Sequence, residues 1–107
     1  MVLINIVNHL NSYYTNDDGD KLFHIIVEKI NAGESVEISF EGIDSINSSF
    51  VNSAFISLLD FYTFDEIRKK VNFINTNKQI NLLILNRFKF EVKKKQKIET
   101  KFTQVMV

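Results

Sequence analysis

Between Val36 and Tyr62 the hydrophobic period of the chain changes from that of a strand to that of a helix, and this change constrains the fold more than any other feature. Val36, Ile38 and Phe40 alternate with Ser35, Glu37, Ser39 and Glu41, the pattern of a strand with one buried face. From Val51 the apolar residues Val51, Ala54, Phe55, Leu58, Leu59 and Tyr62 recur at i, i+3, i+4, i+7, i+8 and i+11, which lines one helical face. A polar turn, Asn47-Ser48-Ser49-Phe50, joins the two. Its serines are expected at the N-terminus of a helix over Ser49 to Phe61, where backbone N–H groups lack helical partners.

The remaining segments extend the alternation. Val2 to Val7 is apolar except for Asn5 and reads as a buried strand. Thr15 to Asp20 is a turn, any of whose carboxylates can cap a helix whose face is Leu22, Phe23, Ile26, Val27 and Ile30, and Ala32-Gly33 ends it. Thr63 caps a short helix from Asp65 to Lys70, and Val71 to Asn75 reads as a further strand. Asn77 can cap a last helix with Ile80, Leu83, Ile84, the Arg87 stem, Phe88 and Val92 on one face. The order β-α-β-α-α-β-α predicts an α/β layer with helices packed mainly on one face of the sheet.

At 107 residues the chain is expected to be one domain, able to bury roughly 65% of its unfolded surface. It contains no cysteine, which excludes disulfides, thiolate nucleophiles and thiolate metal ligands. The first ten residues lack a basic region and a cleavage site, and no apolar run is long enough to span a bilayer, so a cytoplasmic protein without membrane contact is expected. Net charge is zero. Yet seven basic residues, Arg87, Lys89, Lys93, Lys94, Lys95, Lys97 and Lys101, stand against only Glu91 and Glu99, leaving the rest of the chain acidic. Residues 93–107 are therefore read as a basic tail, either an edge strand or disordered, on a domain of residues 1–92. The 12 Asn, 14 Ile and 11 Lys with no Pro or Trp are the usage of AT-rich codons and point to an AT-rich bacterium or one of its mobile elements.

No constellation argues for catalysis or for a cofactor. His9 and His24 lie on different elements without metal-ligand spacing. Asp17-Asp18-Gly19-Asp20 lacks the alternating ligands and closing Glu of a calcium loop and is a capping turn. Three glycines exclude a phosphate-binding loop. A triad of Ser48, His9 or His24, and Asp44 lacks the glycines of a nucleophile elbow. Lys89, Lys93 and Lys97 fall at i, i+4 and i+8 and are nucleic-acid candidates, against the reading of a solvated helix face. Ser48 and Ser49 have two readings, as helix caps and as phosphorylation candidates at a helix N-terminus.

Tyr14 to Phe23 (Y-T-N-D-D-G-D-K-L-F), Val36 to Ile43 (V-E-I-S-F-E-G-I), Ser48 to Phe55 (S-S-F-V-N-S-A-F) and the strand end at Asn75 together resemble the STAS-like domain family DUF4325. The resemblance spans Tyr14 to Asn86, and its F-E-G-I-x-x-I-x-S-S-F block is fairly specific. It implies a small STAS-like domain with a mixed sheet of about four strands and helices mainly on one face. It also implies a bacterial, non-enzymatic regulator related in pattern to anti-sigma-factor antagonists, with a protein partner such as a histidine-kinase-like ATPase. Laid on this chain, Ser48 takes the position that is phosphorylated in those antagonists, with Asn47 replacing their acidic residue and Phe50 their glycine. The partner-binding candidates are Asn47, Phe50, Asn52 and Asp17. The other reading is a phage or mobile-element accessory protein that uses the basic C-terminal segment.

Overall fold

A computed structural model describes the backbone of residues 1–106 and the side chains of residues 1–94. Strand β1 is Val2–Asn5, followed by the single turn α1, Ile6–His9, and the helix α2, Asn16–Asn31. Strand β2, Val36–Ser39, leads through a loop to α3, Ser48–Ala54, and a 3₁₀ helix at Ile56–Asp60. Helix α4, Phe64–Lys70, passes directly into β3, Val71–Ile74, and α5 is Lys78–Met106. None of the described helices is long and apolar enough to cross a membrane.

The strands form one parallel sheet in the order β1-β2-β3. This corrects the expected mixed sheet of about four strands. Every connection between strands contains helix, and a helical crossover returns the chain to the same end of the sheet, so consecutive strands run parallel. In place of an edge strand or disorder after residue 92, the backbone of α5 is helical through Met106. The expected boundary therefore falls inside a helix, and the side chains beyond residue 94 lie outside the described residues.

Register decides which face of the sheet is covered. Val2, Val36 and Val71 share one row, and Ile4, Ile38 and Phe73 share another on the same face. The intervening row is Leu3, Glu37 and Asn72, of which Leu3 and Asn72 are exposed. Helices thus cover the valine–isoleucine face. Phe40, Phe50 and Phe55 are fully buried, and Phe55 meets Phe50, Phe40 and Phe73 edge-on at ring separations of 6.1, 6.1 and 4.9 Å, geometries that aromatic quadrupoles favour.

The helix expected over Ser49 to Phe61 is broken. The Ser57 hydroxyl donates to the Asn52 carbonyl at 3.0 Å, taking the acceptor that an α-helix would offer to Ile56, and the chain continues as a 3₁₀ turn. Leu58 still reaches the core. Upstream, α2 and α3 lie close together, with Gly19 of α2 against Phe50, Ser53 and Ala54 of α3. Gly33, at φ +87, ends α2 in the left-handed conformation.

Helix α2 starts in a capping box in which Thr15 Oγ1 accepts from Asp18 N–H at 3.1 Å and the Asp18 carboxylate accepts from Thr15 N–H at 3.3 Å. Hydrogen bonds from Ser12, then from Thr15 and Tyr14, hold the Asp18 carboxyl below its ordinary pKa, against the opposing effect of burial. Because the folded-state value is the lower one, the stabilisation is complete above the unfolded value of about 3.9 and is lost as pH falls through the folded one. Asp18→Asn should therefore be less stable than wild type by a constant margin above about pH 5. The margin should close as both are melted at progressively lower pH.

Candidate functional site

The loop of residues 40–47 leaves the carboxyl end of the central strand, the end at which open α/β sheets place their sites. It is held by its own apolar residues and by polar braces. Ile43 and Ile46 are buried, and Ile43 N–H donates to the Phe40 carbonyl at 2.9 Å beside Gly42, whose φ is +82. The Gln79 amide brackets Ile46, donating to its carbonyl at 3.0 Å and accepting from its N–H at 3.3 Å, so a side chain supplies what a neighbouring strand would. Asn77 donates to the Asp44 carbonyl at 2.6 Å and caps α5 by accepting from Ile80 N–H at 2.9 Å.

At the start of α3 the cap is Asn47. Its extended backbone, φ −115 and ψ 171, presents Oδ1 to Phe50 N–H at 3.0 Å, and its Nδ2 donates to the Tyr14 carbonyl at 2.8 Å. This corrects the expected serine cap. An asparagine one residue earlier is an equally good cap, and with that place filled Ser48 and Ser49 become the first two helical residues. Both are exposed, and neither hydroxyl has a hydrogen-bond partner among the described residues. Asn47→Ala should cost about 1 kcal/mol in a chemical melt. Ser48→Ala and Ser49→Ala should each stay within about 0.5 kcal/mol of wild type, as surface changes away from a cap do.

The other candidates separate. Phe50 is fully buried against Phe55, which corrects its place among the partner-binding candidates: the third residue of α3 faces the core. Asn52 is half-buried and accepts from Arg87 Nε at 2.8 Å. Arg87 also pairs with Glu91 at 3.1 Å, so Asn52 is a strut between α3 and α5. Asp17 is exposed on the first turn of α2, and the Asn16 beside it accepts from the Ser53 hydroxyl at 3.2 Å. Lys89 and Lys93 are exposed on α5, whereas the side chain of Lys97 lies outside the described residues. His9 and His24 are exposed on α1 and α2. Among the described residues no three metal-ligating side chains come together.

Sequence reasoning gave Tyr13, Tyr14 and Gln79 no place at the site and read Arg87 only as a helix-face stem and part of the basic run. The rings of Tyr13 and Tyr14 lie 4.7 Å apart. A hydrogen bond with Tyr14, then burial and the nearby Tyr14 and Asp44 charges, raise the Tyr13 pKa. Asn47, donating to the Tyr14 carbonyl, ties this pair of tyrosines to the helix start that carries the exposed serines. No local pattern marks the roles of Tyr14, Gln79 and Arg87, because each acts across more than thirty positions of sequence. The exposed surface is thus Tyr14, Asn47, Ser48 and Ser49, with Asp17 nearby in the same pair of helix starts.

A family model for the STAS-like domain of unknown function (DUF4325) matches residues 18–81, more than half of the chain. No curated protein and no solved structure matches.

Proposed function

Because the chain belongs to the STAS-like DUF4325 family, we propose that it is a non-enzymatic bacterial regulator that binds a protein partner in the cytoplasm through the first turn of α3. The observation that carries this reading is the pair of exposed serines, Ser48 and Ser49, whose hydroxyls the Asn47 cap leaves uncommitted. A hydroxyl without a structural duty can be modified at little cost to the fold. A phosphoryl group on Ser48 would add about −1.5 to −2 charge and three acceptor oxygens at neutral pH, enough to change the complementarity of a docked surface. Tyr14 and Asn47 supply the rest of that surface: an aromatic face and a rigid, already bonded loop. A histidine-kinase-like ATPase is the partner class to which the family resemblance points.

The test is recovery of partners from the native bacterium with wild type, Ser48→Ala and Ser48→Asp. All three should fold alike by circular dichroism, with the Asp form losing at least tenfold in partner affinity. If the Asp form retains every partner, this turn is not the contact. The second reading rests on the exposed Lys89 and Lys93 of α5 and is distinguished by its target. It requires binding to duplex DNA that weakens steeply with salt and is indifferent to Ser48.

A further inference from the structure

Strand β3 is an edge of the sheet, and its four residues, Val71, Asn72, Phe73 and Ile74, carry no charge. Natural edge strands are commonly protected from pairing by lysine, proline or a bulge. Here there is none. The direction of the free backbone groups follows from the ladder: Phe40 N–H donates to the Ile74 carbonyl at 3.1 Å, so Ile74 and Asn72 address β2. Phe73, the register partner of Ile38, must point both its N–H and its C=O away from the sheet. The N–H of Val71 is already taken by the Ile67 carbonyl of α4. Phe73 is therefore the one β3 residue with donor and acceptor both presented outward.

Beside this edge, on the helix-covered side, lies an apolar groove of about 400 Å³ lined by Phe64, Ile67, Phe73, Ile84, Leu85 and Phe88. Leu85 is 46% exposed. The single charged residue of the lining is Arg68, which is paired with Asp65 at 3.7 Å. The surface is thus close to neutral, and two copies of it meet without like-charge repulsion.

We infer that β3 is a self-pairing edge: two copies join antiparallel through it, with Phe73 opposite Phe73 about a two-fold axis. In an antiparallel ladder a hydrogen-bonded pair exchanges both N–H···O bonds between opposite residues, and a residue with both groups outward can make that exchange with its own copy. The axis stands perpendicular to the sheet, so the helix layers of both copies fall on the same side and the two grooves close on each other. A second copy fits better than a foreign strand because the edge is neutral and its free groups are centred on one residue, the condition for an isologous, closed contact.

Sedimentation equilibrium should find a species of twice the 12.5 kDa chain mass. Asn72 is exposed on the face away from the groove. Asn72→Lys should keep the circular dichroism spectrum while raising the dimer dissociation constant at least tenfold. In the Phe73-centred register Asn72 stands opposite Ile74 of the other copy, at about 4.5 Å between Cα atoms. Because the chain has no cysteine, Asn72→Cys combined with Ile74→Cys should give a covalent dimer on mild oxidation. A wild-type chain that stays monomeric at several hundred micromolar, open-ended oligomers, or a double-cysteine variant that does not cross-link would each overturn the inference.

Discussion

Phe50→Ala should lower the stability of the folded chain by about 3–5 kcal/mol, the cost of removing a fully buried aromatic ring and leaving its cavity. Phe50 is inaccessible to solvent and meets Phe55 nearly perpendicular at 6.1 Å, and Phe55 in turn contacts Phe40 and Phe73. The ring therefore joins α3 to the sheet through a chain of aromatic contacts. A urea melt should show the midpoint falling while the slope is unchanged. Any loss of partner binding in this variant would follow from unfolding and would be restored by lowering the temperature. A stability loss below about 1 kcal/mol would mean that Phe50 is a surface residue and that the aromatic core does not depend on it.

The second large effect lies where α3 meets α2. Gly19→Ala should destabilise the chain by about 1–3 kcal/mol, although alanine is favoured over glycine in a helix interior by about 1 kcal/mol. A Cβ at Gly19 would sit 2.6 Å from the Ser53 Cβ and 2.8 Å from the Phe50 carbonyl oxygen. Neither atom is the end of a flexible side chain, so no rotamer change relieves the clash and the two helices must separate. Separation would disturb the links that tie the start of α2 to α3, Ser53 to Asn16 at 3.2 Å and Asn47 to Tyr14 at 2.8 Å. Thermal melting and a loss of amide protection at the start of α3 are the readouts. If Gly19→Ala is more stable than wild type, propensity outweighs packing and the close approach is not a constraint.

The interfaces behind these predictions were visible in the sequence to different degrees. The apolar positions Ile80, Ile84 and Phe88 lie buried on α5 as their spacing requires, and Val36, Ile38 and Phe40 are buried as their alternation requires. Gly19 did not stand out, since an acidic turn explains a glycine equally well. Phe50 was ambiguous for a related reason. It follows two serines at a helix start, and the local pattern does not say whether the third residue of that helix faces solvent or core.

What the sequence determined by itself was the alternation of strand and helix, the Thr63 cap, the glycine stop at Gly33 and the family, because each depends on residues within a few positions of one another. The tertiary structure alone decided that the sheet has three parallel strands, that Asn47 and not a serine caps α3, and that Gln79, Asn77 and Tyr14 hold the loop in front of it. The bracing of that loop turns on hydrogen bonds between residues 33 positions apart. A backbone group satisfied at that distance leaves no mark in the local period, and the freedom of the Ser48 and Ser49 hydroxyls exists only because a neighbouring side chain already fills the cap.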